Sequence, residues 1–108
     1  MITDVLSRLG ISNEIAVKIP ARGTESVAMV ARGDAALAIQ PVSEILHMPG
    51  VDLAGTIPTE FQHLAVYAAA IVAGSKEAEA SKRLIAFLSS DSTTAAIERS
   101  GMEPSRRR

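Results

Sequence analysis

A chain of 108 residues supports one modest core and is too short for two complete lobes. Hydrophobic residues make up 47% but aromatics only 3%, with no tryptophan, so the apolar content is mostly Ala, Val, Ile and Leu, which suits helices laid closely on a sheet. A net charge of -1 gives no whole-molecule attraction to nucleic acid or an anionic membrane, and the lack of cysteine excludes disulfides, thiolate metal sites and cysteine nucleophiles.

The opening residues place Ile2, Val5, Leu6 and Leu9 on one helical face, with Thr3 available as a cap and Gly10 as terminator. Ile15, Val17 and Ile19 alternate with Ala16 and Lys18 before Pro20, a pattern that permits either a strand or a helical turn. Gly23-Thr24 opens a second helix that Thr24 can cap, with Val27, Val30 and Ala31 as its buried stripe and Gly33 at its end. Ala35 to Ile39 is apolar on both faces, as a strand buried between two layers requires. Ser43 to Leu46 reads as a capped turn, Val51 and Leu53 as a short strand ended by Gly55, and Pro58 starts another connection.

Leu64 to Ala73 suits strand or helix by propensity, but Gly74 breaks the run and Ser75 caps the next helix, so a strand feeding a helix is the simpler account. That helix, Lys76 to Leu88, sets Ala80, Leu84, Phe87 and Leu88 on one face and Glu79 four residues before Arg83 on the other. A last helix runs to about Ser100 before Gly101. The expected class is α/β, divided into 1–63, 64–104 and a basic tail, 105–108.

Candidate chemistry is sparse. His47 and His63 have no second histidine at ligand spacing, no G-x-S-x-G elbow or phosphate loop occurs, and Glu44, Asp52 and Glu60 sit where acids serve solvation. The reading is therefore of no metal, no cofactor and no enzyme. Two features point to binding instead. The helix start at Gly23 and Thr24 offers unpaired N–H groups and a positive dipole end to an anion, or Thr24 merely caps its own helix. Gln40, closing a strand just before Pro41, faces a ligand crevice or satisfies turn backbone.

The order of these segments carries a resemblance. Ser26 to Ile39, with Val30, Gly33, Asp34 and Ala35 in sequence, resembles a helix-turn-strand stretch of molybdate-binding-like solute-binding proteins of ABC transporters. Val66 to Lys76, Ala80 to Leu88 and the ending Gly101-Met-Glu-Pro104 resemble that family's final strand and last two helices. The likeness runs from about Met1 to Pro104. It implies an incomplete lobe of the type II periplasmic-binding-protein fold, with the strand and two helices that finish the other lobe. It also implies a small oxyanion held in a cleft by backbone N–H groups and hydroxyls, with an ABC permease as partner and no cofactor.

Carried over by position, ligand contacts fall on Gly23 and Thr24, with Gln40 and Pro41 standing where molybdate binders place a tyrosine. No tyrosine occurs before Tyr67, so another oxyanion, or a different small solute, is equally compatible. Family members are periplasmic and roughly twice this length, whereas this N-terminus has no secretory signal, which as written implies the cytoplasm. A stand-alone cytoplasmic anion-binding or sensing module is the alternative. No nucleic acid and no membrane insertion are expected. The apolar Leu64 to Ala73 run and the Leu84 and Phe87 face imply a homo-oligomer whose interface includes Val66, Ile71, Leu84 and Phe87.

Overall fold

The computed structural model describes residues 2–105. The chain divides into two compact units, Met1–Leu64 and Ala65–Arg108.

In the first unit, helix α1 spans Ile2–Arg8 and buries Val5 and Leu6. Its apolar spacing is one-sided, as read from the sequence, although Leu9 beyond its end stays half exposed. Helix α2, Gly23–Ala31, follows a long irregular segment and buries Val27, which is 1% exposed. It ends where Gly33 takes φ +81°, and the Asp34 N–H reaches back 2.8 Å to the Met29 carbonyl. A left-handed residue at that point satisfies carbonyls the helix would otherwise leave bare, and only glycine adopts it without strain. Helix α3 is a single turn, Val42–Ile45, set off by Pro41, whose missing N–H suits a helix start. The loop after α3 closes back on α2: a Cβ on Gly50, itself at φ +79°, would lie 3.3 Å from the Ala31 Cβ. A 3-10 turn at Thr59–Phe61 follows Pro58. The Phe61 ring lies under the Arg8 guanidinium at 4.6 Å, and Arg8 also donates to the Glu60 carbonyl at 3.3 Å.

In the second unit, helix α4 spans Ala78–Leu88, two residues shorter at its start than the sequence suggests. Ser75 still organises that start, its hydroxyl accepting the Glu77 N–H at 3.2 Å. The charge pair on its surface also differs from expectation: Glu79 bonds Lys82 at 2.7 Å, one residue short of Arg83. The i,i+3 and i,i+4 neighbours are both within reach on a helix surface, and the choice carries little energy. A 3-10 turn, Asp91–Thr93, leads into α5, Thr94–Arg99. Thr93 is buried, its hydroxyl donating to the carbonyls of Leu88 at 3.0 Å and Ser90 at 2.9 Å. This pins the junction between the two helices.

The segments expected to be strands are not. Ala35 to Ile39, Val51 to Leu53 and Leu64 to Ala73 are irregular, and no strand forms among the described residues. Ile15 to Ile19, left open between strand and helical turn, is irregular too. A strand exists only by pairing, because its N–H and C=O groups are satisfied by a neighbour and not by itself. The composition for strands is present; the partner is not. The same applies to the α4 face of Ala80, Leu84, Phe87 and Leu88, where all four residues are exposed. Among the described residues the buried apolar ones are Val5, Leu6 and Val27, all in the first unit.

Candidate functional site

The four residues singled out in sequence lie at two neighbouring helix starts of the first unit. Gly23 is the first residue of α2, and Pro41 is the residue that caps α3. Gln40 bridges them. A Cβ on Gly23 would lie 3.4 Å from Gln40 Oε1 and 3.6 Å from Gln40 Nε2, so the amide rests against the bare glycine backbone at the opening of α2. With no side chain at position 23, an anion and the amide can share that opening, the first-turn N–H groups on one side and the amide donors on the other.

Thr24 takes a different place from the one expected. The residue capping α2 is Arg22, in extended conformation and without a side-chain cap bond, which puts Thr24 inside the first turn and exposed. The sequence reading misplaced the boundary by two residues because Gly23 looks like the residue before a helix and here is its first. Ser26, rather than Thr24, bonds the opening backbone, its hydroxyl donating 2.7 Å to the Gly23 carbonyl. The shift brings forward a residue that sequence reasoning missed. Arg22 stands immediately before the helix start and adds a cation beside it; an Arg-Gly-Thr run ahead of an apolar stripe was the available signal.

An open groove of about 850 Å³ runs through the same unit. Val5 and Leu6 from α1, Leu9 just beyond it and the irregular segments 15–20 and 34–40 line it, mostly with aliphatic side chains. Its polar members include Lys18, Ser26, Asp34 and Gln40; Gly23, Thr24 and Pro41 are not among the lining residues. Gln40 and Ser26 are thus common to groove and helix start. Lys18, between Val17 and Ile19, donates to the Asp34 carbonyl at 2.6 Å, and Asp34 pairs with Arg32 at 3.0 Å.

The histidines do not assemble a centre. His63 approaches Asp4 at 3.7 Å with both side chains about half exposed, and among the described residues no three of His, Asp and Glu gather closely enough to hold a metal ion. Among those residues no helix is long and apolar enough to cross a membrane.

Residues 1–103 match the family of bacterial extracellular solute-binding proteins. The chain belongs to that family. This solute-binding chain is also 42% identical, over 77 residues, to a protein named aconitate isomerase from a Pseudomonas species. That match takes in 71% of this chain and 29% of the relative, so the chain spans less than a third of the length of the curated relative it matches. No solved structure matches.

The family bears out the broad resemblance read from segment order, a bacterial solute-binding protein. The isomerase overturns the expectation that no enzyme is involved, since a relative at this identity carries an enzyme's name. Sequence reasoning sought acid–base pairs and nucleophile motifs within the chain. Where less than a third of a relative is spanned, the groups that would complete such a pair can lie elsewhere.

Proposed function

We propose that this chain forms one wall of a solute cleft in an α/β lobe of the type II periplasmic-binding kind, and that the solute is a small anion bearing several carboxylates. The observation that carries the reading is the placement of the Gln40 amide at the start of α2, its donor nitrogen Nε2 3.6 Å from the position of a Cβ on Gly23. Carboxylate oxygens accept hydrogen bonds from backbone N–H groups and amides, and charge-assisted bonds of this type are about twice as strong as neutral ones. Arg22 adds a positive charge at the same opening.

Molybdate offers similar acceptors, and two observations favour a carboxylate over it. Gln40 and Pro41 occupy the place where the resembled molybdate binders have a tyrosine, and the relative is named for aconitate, an unsaturated tricarboxylate. Isomerising such a molecule moves a proton and a double bond, which requires groups able to take and give a proton. Gly23, Thr24, Gln40 and Pro41 have none, so this wall orients the anion and the proton-transfer groups belong to the rest of the cleft.

The second reading is delivery rather than conversion, with the bound anion passed to an ABC permease. The family match over residues 1–103 favours it. Titration calorimetry with aconitate, molybdate and phosphate tests the ligand class. Gln40→Ala removes one hydrogen bond to a charged group and is expected to weaken aconitate binding by about 1.5–3 kcal/mol, roughly ten- to a hundredfold. Unchanged affinity in the folded variant, or a preference for molybdate, contradicts the reading.

A further inference from the structure

We draw no further inference here: the strongest candidate, the aliphatic groove of the first unit between the irregular segments 15–20 and 34–40, with Lys18 among its lining residues, is an unpartnered apolar surface, and nothing in the structure shows what covers it.

Discussion

At position 23 the structural and functional demands on one residue can be separated. The Gly23 φ lies outside the left-handed region and a Cβ there meets the Gln40 amide at an ordinary contact distance of 3.4 Å, so alanine fits. Gly23→Ala should raise stability by about 0.4–1 kcal/mol, since it restricts the unfolded chain, while the methyl group obstructs the space an anion would share with the amide. Denaturant unfolding and aconitate titration on the same variant should thus move in opposite directions. Gly33→Ala is the contrast: with φ at +81° it should destabilise α2 by about 1 kcal/mol, seen as a lower unfolding midpoint. Thr93→Val keeps the side-chain shape but leaves the Leu88 and Ser90 carbonyls without their hydroxyl donor. A loss of about 1–3 kcal/mol on chemical unfolding is expected.

Among the elements, what was legible in the sequence is what is decided locally. The ends of α1, α2 and the last helix were marked by Gly10, Gly33 and Gly101, because a glycine terminator acts on carbonyls within its own turn. The starts were less legible: Thr24 and Ser75 looked like caps, yet α2 begins after Arg22 and α4 after Glu77. The segments 35–39 and 64–73 have strand composition without strand structure, since pairing is a property of two segments and sequence displays one. Gln40 was legible as a polar residue closing an apolar run; its approach to Gly23 was not, because nothing in the intervening residues encodes how that chain returns to α2. The exposed face of α4 carries an element-scale prediction. With no residue of the helix buried, Phe87→Glu should leave both far-UV circular dichroism and the unfolding midpoint unchanged, a combination that a core residue would not show.

For the whole molecule, the proposed reading makes this chain one wall of a cleft, in keeping with a buried core that, among the described residues, holds only Val5, Leu6 and Val27 as apolar members. A one-sided cleft keeps its donors but encloses little of its ligand, so affinity should be weak while the place of contact is preserved. The most direct measurement is therefore resolved by residue: an amide NMR titration of the isotope-labelled chain with aconitate. The account predicts saturable shifts centred on the backbone N–H groups of Gly23 and Thr24 and on the side-chain amide of Gln40, with phosphate producing smaller ones at the same places. Shifts that leave these residues unmoved, or no saturable shift with any of these anions, would contradict it.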